Sequence, residues 1–272
     1  MAMFRVDDRC LKCGLCAELC AARIIEFEKG RTPEVPAAAE DRCIRCGQCV
    51  SFCPALACSL AFQPEEDRRP VDRNLMPSAE EGETLLRSRR SVRRYRTEPL
   101  AEALILRILE TARYAPTASN RQPVRWIVAT GREMTLAVAA LVIKDIAGEI
   151  ESSADPSGHP LGPVLEAGRG GQDVIMRGAP HLAVAVVPAD HFFPEDAALA
   201  LTYFELAAHA NSVGCCWAGY FTRAARRSRE LRKFLGVGEG ETVVGGQMFG
   251  FPDGLGLCRL LPPRKKTDVA WL

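Results

Sequence analysis

The apolar positions of this chain fall into two regimes. From residue 99 onward they recur with clear periods, and upstream of about residue 84 they do not. In PLAEALILRILETARY, residues 99–114, Leu104, Ile105, Ile108, Leu109 and Ala112 share one helical face, and Pro99 suits a first turn. WIVAT from Trp126 and HLAVAVV from His181 are short unbroken apolar runs, which predict buried strands. PEDAALALTYFELAAHANSVG from Pro194 predicts a long apolar helix stopped by Gly214. CCWAGYF then reads as strand and turn. Residues 222–235 predict one basic amphipathic helix with Thr222 as its N-cap, and TVVGGQMFGF from Thr242 a glycine-rich strand. Helices mixed with strands place this part in the α+β or α/β class. Residues 148–171 are rich in Gly, Pro and Ser and predict a functional loop, a lid or a disordered insertion. The polar stretch from Gln63 to Glu83 carries three prolines and no apolar period. It predicts a linker, so the expected division is 1–62, a linker 63–83, and a domain 84–272.

Composition narrows the function classes. Of 272 residues, 47% are hydrophobic and 25% charged, which is ample for a sizeable core. A net charge of +1 gives no global field for nucleic acid or a membrane surface. The longest apolar runs, such as LAVAALVI at 136–143, are far short of a membrane span. The opening MAMFRVDDRC has no apolar signal core, so the expectation is a cytoplasmic protein. Twelve cysteines are many for this length, and nine of them lie within the first 58 residues. Reducing compartments favour metal over disulfide for such a cluster.

Those cysteines form two runs, CLKCGLCAELC (Cys10, Cys13, Cys16, Cys20) and CIRCGQCVSFC (Cys43, Cys46, Cys49, Cys53). Both have the spacing C-x2-C-x2-C-x3-C. Three thiolates so spaced wrap one iron–sulfide cube, and the fourth reaches a neighbouring one. Over residues 1 to about 62 the chain resembles the two-[4Fe–4S] ferredoxin family. The resemblance implies Cys10, Cys13, Cys16 and Cys53 on one cluster, and Cys43, Cys46, Cys49 and Cys20 on the other. It also implies a small fold stapled by metal. Pro54 follows Cys53 as the pattern requires, whereas Ala21 follows Cys20. The competing reading is two structural zinc sites, which more often show paired C-x2-C units. Cys58 is left over and reads as a small buried apolar residue, and the pair Cys215–Cys216 as core strand.

A second chemistry begins at LLRSRRSVRRYR, residues 85–96, with six arginines. Residues 71–272 carry only about two excess positive charges, which argues against a nucleic-acid surface. A solvated basic face and a phosphate site remain, since arginine forks hold phosphate oxygens in pairs. RRSVRRY at Arg89, APTASNRQPVRWIVA at Ala115, GCCWAGYF at Gly214, GFPD at Gly250 and PPRKK at Pro262 together resemble the nitroreductase family, in order, over residues 82–272. The resemblance implies a nitroreductase-like α/β sandwich holding FMN at the interface of a homodimer. By that resemblance Arg89, Arg90 and Ser91 meet the FMN phosphate or ribityl chain, and Arg93 lies near the N1/O2 edge. Ser119, Asn120 and Gln122 approach from the partner subunit, backbone N–H groups of Gly219 and Tyr220 face N5 and O4, and Arg264 with Lys265 closes on the phosphate. The family often has Trp where Val124 stands and Gly where Tyr220 stands, so substrate choice does not carry over.

The expectation is therefore an FMN-dependent oxidoreductase passing electrons between two [4Fe–4S] clusters and FMN. It would reduce a small oxidised acceptor (nitro compound, quinone or enone) with electrons from ferredoxin or NAD(P)H. The alternative is an electron-carrier module docking to a larger redox partner. The basic helix with Arg223, Arg226, Arg227, Arg229, Arg232 and Lys233 reads as a solvated face or as a docking surface for an acidic donor. Loop residue His159 reads as exposed or as a gate, and His181 and His209 as core or helix-face residues.

Overall fold

A computed structural model describes residues 2–254 and 258–272. The chain divides into two compact units, Met1–Met76 with Ala118–Arg121, and Pro77–Thr117 with Gln122–Leu272.

The first unit is built on one repeat. Strand β1 (Phe4–Val6) is followed by the single-turn helix α1 (Leu15–Glu18), and α2 (Gln48–Ser51) is followed by strand β2 (Cys58–Leu60). The strands pair antiparallel, Phe4 opposite Leu60 and Val6 opposite Cys58. The two cysteine runs fold alike: Lys12 and Arg45 have φ of 51° and 54°, and Gly14 and Gly47 have φ of 79° and 72°. These left-handed pairs turn the chain back so that successive cysteines face one point. A Cβ at Gly14 would also lie 2.4 Å from the Phe27 ring, so glycine is required there twice over. The core is small, with Phe4, Ile24, Val50, Ala57, Cys58 and Leu60 buried. A core of that size does not hold a fold alone.

The second unit is an antiparallel sheet between helical layers. It opens with α3 (Ala79–Ser88), started by a capping box between Ser78 and Glu81, and α4 (Glu102–Ala112). Then come β3 (Arg125–Thr130), α5 (Arg132–Glu151), α6 (Gly162–Arg169), β4 (His181–Pro188), α7 (Glu195–Ala210), β5 (Gly214–Trp217), α8 (Gly219–Ala225), α9 (Arg229–Phe234) and β6 (Glu241–Gly250). The strand order is β3-β4-β6-β5. Strand β4 is buried from His181 to Val187, which explains its unbroken apolar run. Leu182, Val184 and Val186 pack with Val138, Val142 and Ile146 of α5. Ala183 joins Phe204 and Ala208 of α7 and Ile108 of α4, while Ala185 and Val187 join Leu201 of α7. The β4–β6 register slips between Ala185 and Val186, so Val244 is an extra residue in β6. Its carbonyl accepts from Arg226 at 2.9 Å. Gly245 lies beneath the Trp217 indole, where an added Cβ would come within 2.5 Å of the ring.

Several sequence expectations change. Helix α7 ends at Ala210, so Gly214 opens β5 instead of stopping the helix; α4 starts at Glu102, leaving Pro99 outside its first turn; and α3 takes up the last part of the expected linker. Residues 222–235 form two helices, because Ser228 caps a new start by accepting from the Leu231 N–H, while Thr222 is buried inside α8. Within 148–171, the end of α5 and all of α6 are helical, with Pro163 in the first turn of α6. Among the described residues no helix is long and apolar enough to cross a membrane.

Candidate functional site

Two cavities open inside the first unit, one gathering five cysteines and the other four. One is lined by Cys10, Cys13, Cys16 and Cys53 and contains about 310 Å³ of atom-free space, its open mouth included. The other is lined by Cys20, Cys43, Cys46 and Cys49 and contains about 410 Å³ by the same measure. Each set takes three thiols from one run and the fourth from the other. The two that cross, Cys20 and Cys53, are the ones that follow α1 and α2. A cube binds its four thiolates at four separate irons, so a cavity rimmed by four sulfurs is the geometry that suits it. Backbone N–H groups aim at these sulfurs: Lys12 at Cys10 (3.4 Å), Arg45 at Cys43 (3.4 Å) and Ala57 at Cys53 (3.3 Å). Such donors stabilise thiolate charge. The residues present therefore fit iron–sulfur cubes. The second cavity is otherwise walled mainly by apolar groups, among them Ile24, Ile25, Val35 and Leu60.

The first cavity holds a fifth cysteine, Cys58, at 2% exposure. Buried as expected, it lies closer to the candidate ligands than the sequence suggested. Arg9 and Arg68 fix the neighbouring backbone: both donate to the Leu56 carbonyl, and Arg68 also donates to that of Cys58.

In the second unit the arginine-rich stretch is a loop between α3 and the bridge pairing Tyr95 with Pro252. The Val92 N–H donates to the Cys215 carbonyl at 2.8 Å and the Tyr95 hydroxyl to that of Val92 at 2.6 Å, pinning the loop to β5. Burial pushes the Tyr95 hydroxyl and the Cys215 thiol well above their ordinary pKa values. The loop borders a cavity of about 680 Å³, open mouth included, lined by Ser88, Arg89, Arg90, Glu205, His209 and Cys258, among others. Arg89 is held by Glu205 at 2.7 Å, and Ser88 shares a 2.9 Å hydrogen bond with His209. Burial, and then the Arg89 charge, keep His209 below its ordinary pKa. Gln247, buried in β6, donates to Glu205 at 3.4 Å while its Oε1 has no protein partner.

The other sequence-predicted positions are spread around this loop. Ser91 is half-buried and Arg93 exposed. Gly219 and Tyr220 open α8, where first-turn N–H groups have no intrahelical acceptor, and a Cβ added at Gly219 would enter open space. Arg264 and Lys265 are exposed, the former donating to the Pro263 carbonyl. Ser119, Asn120 and Gln122 all adopt left-handed backbone, with φ of 49°, 53° and 48°, and such clusters of strain gather at binding sites. Asn120 belongs to the first unit, where its Nδ2 donates to the carbonyls of Ile44 and Arg45 at 3.2 and 3.1 Å.

Sequence reasoning gave Glu205 no role. Its one signal was helical spacing, since Glu205 and His209 are four apart and share a face of α7. The basic helix is less free than it read: Arg223 and Arg227 pair with Glu149, Arg227 also with Asp145, and Arg226 and Arg232 donate to backbone carbonyls. His181 accepts from the Leu100 N–H at 2.8 Å and is core, as expected. His159 lies 3.9 Å from Glu149 and accepts from the Leu161 N–H.

Residues 86–251 match the model of the nitroreductase family. The chain belongs to that family. Residues 9–57 match a 4Fe-4S dicluster domain, so an N-terminal ferredoxin-like domain precedes the nitroreductase fold. An Archaeoglobus fulgidus protein, provisionally described as an NADH dehydrogenase/NAD(P)H nitroreductase, is 27% identical over 173 residues, 62% of this chain and 83% of its own length. Among solved structures, a Bacteroides fragilis nitroreductase with bound FMN aligns with a TM-score of 0.58 and 21% identity, covering 71% of this chain and 99% of that one. A Desulfitobacterium hafniense nitroreductase with bound FMN aligns at 0.56 and 22%, covering 72% and 100%. At such identities these two structures support the nitroreductase fold.

Proposed function

We propose that this chain is an iron–sulfur flavoprotein oxidoreductase of the cytoplasm, working as a homodimer. It would pass electrons between two [4Fe–4S] clusters and FMN and reduce a small nitro, quinone or enone acceptor. The observation that carries this reading is the pair of cavities with crossed cysteine membership, in a chain whose remainder is a nitroreductase. Bound there, the clusters supply one-electron relay and FMN supplies hydride chemistry. The chain's own part is pose and field. Cys10, Cys13, Cys16 and Cys53 would hold one cluster, and Cys20, Cys43, Cys46 and Cys49 the other. Arg89, Arg90 and Ser91 would hold phosphate or ribityl oxygens, with Glu205 fixing the Arg89 fork. Arg93 would put fixed positive charge at the N1/O2 edge, where reduction gathers negative charge. N–H groups of Gly219 and Tyr220 would meet N5 and O4, Ser119, Asn120 and Gln122 would reach the ring of the partner copy, and Arg264 and Lys265 would close on the phosphate.

The NAD(P)H in the description of the Archaeoglobus relative favours a pyridine nucleotide as one donor. The clusters favour a reduced ferredoxin, since a two-electron donor needs no relay to reach flavin.

The test is anaerobic purification with iron, sulfide and flavin analysis. Stopped-flow mixing with NADH, NADPH and reduced ferredoxin, each offered alone, would follow. Iron, sulfide and FMN together, with rapid reoxidation by a small acceptor, are expected. Zinc without iron or flavin overturns the reading. Loaded cofactors with no acceptor turnover would leave an electron carrier.

A further inference from the structure

The repeat that builds the first unit is broken at one chemically active position. Cys10 corresponds to Cys43, Cys20 to Cys53 and, five residues beyond each run's last cysteine, Ile25 to Cys58. The two mates face different cavities. Ile25 lines the one with Cys20, Cys43, Cys46 and Cys49, and Cys58 lines the one with Cys10, Cys13, Cys16 and Cys53. An alkyl group therefore stands in one cavity where an S–H stands in the other.

The thiol is placed to act. Cys58 is buried, lines the same cavity as Cys16 and Cys53, and packs with both in one core cluster. The backbone around it leans the same way. Among the described residues, two N–H groups, of Lys12 and Ala57, aim at sulfurs of this set, against one, of Arg45, at the other.

We propose that Cys58 is a positioning residue for electron transfer: its single S–H donates to a ligand sulfur beside it, of Cys16 or Cys53, and sets the cluster held there at a higher reduction potential than its neighbour. An entering electron then rests on that cluster. The uptake is one electron onto the cluster. No iron–sulfur bond breaks, and the thiol keeps its proton and acts through its dipole. Reduction adds negative charge to the cube and its ligands, so a donor aimed at those sulfurs stabilises the reduced form more than the oxidised one. Ile25 offers no such donor.

This inference rests on both clusters being bound as proposed above, and iron and sulfide analysis of each sample tests that separately. The experiment is a potentiometric titration of the anaerobic full-length holoprotein, read by electron paramagnetic resonance, for the wild type, Cys58→Ala, Cys58→Ser and Ile25→Cys. In Cys58→Ala the upper step should fall, with the reduced-to-oxidised ratio at fixed potential down about tenfold (~59 mV for one electron), and the lower step should stay. Cys58→Ser keeps a donor and should hold the upper step near the wild type, while Ile25→Cys should raise the lower one. Fully loaded Cys58→Ala with both steps at wild-type potentials overturns the proposal, as does Cys58→Ser shifting as far as Cys58→Ala. If Cys58→Ala loses iron, the other two variants decide: a lower step unmoved in loaded Ile25→Cys, or an upper step about 59 mV down in loaded Cys58→Ser, overturns the proposal. A wild type without iron would instead overturn the functional reading.

Discussion

At the scale of single residues, charge placement is what this chain controls most tightly. Arg89 is a fork already held in orientation by Glu205, and a phosphate bound to it would gain charge-assisted hydrogen bonds of about 1.5–3 kcal/mol. Arg89→Ala should therefore weaken FMN binding by about ten- to a hundredfold, read by flavin fluorescence titration of flavin-free protein. His181 gives a pH prediction. Burial lowers its pKa from 6.5 to about 4, and its Nε2 accepts the Leu100 N–H, so the folded chain keeps it neutral. Its contribution is fully present above pH 6.5 and is lost as pH falls from 6.5 towards 4, by up to about 3 kcal/mol. The thermal midpoint should drop across that window, and His181→Gln should flatten the drop. The candidate ligands were legible in the sequence because their chemistry is written into local spacing. Glu205 was not, because an acidic residue in an apolar helix acquires meaning only when the fold sets it against Arg89 and Gln247.

At the scale of elements, period decided what was readable. The apolar runs at β3 and β4 and the stripe of α4 are local patterns, and the structure follows them. The break between α8 and α9 went unseen because the basic pattern runs through it, and the stop comes from a cap at Ser228. The bulge at Val244 was equally invisible, since it depends on what β4 presents opposite. The glycine pair in β6 was visible, but its reason was not: Gly245 leaves room for the Trp217 indole. Gly245→Ala should cost about 1–3 kcal/mol by overpacking, with a changed Trp217 environment in near-ultraviolet circular dichroism and a lowered thermal midpoint.

At the scale of the whole molecule, the two units differ in what holds them. The nitroreductase unit has a core of fully buried side chains such as Phe204, Phe221 and Phe249. The ferredoxin-like unit has two three-residue strands and a few apolar groups around its cysteines. Stripping iron with a chelator under reducing conditions should make the N-terminal unit sensitive to protease. The nitroreductase unit's melting transition should stay in place, as seen by calorimetry before and after treatment.

The exchange of Cys20 and Cys53 between the two cavities leaves neither set of four complete within a single run. A nascent chain that has left the ribosome only as far as Cys49 owns every thiol of the Cys20 set, while the set begun by Cys10 still lacks its last member. Both sites therefore wait on the second run, and the loss of either run would strip thiols from both.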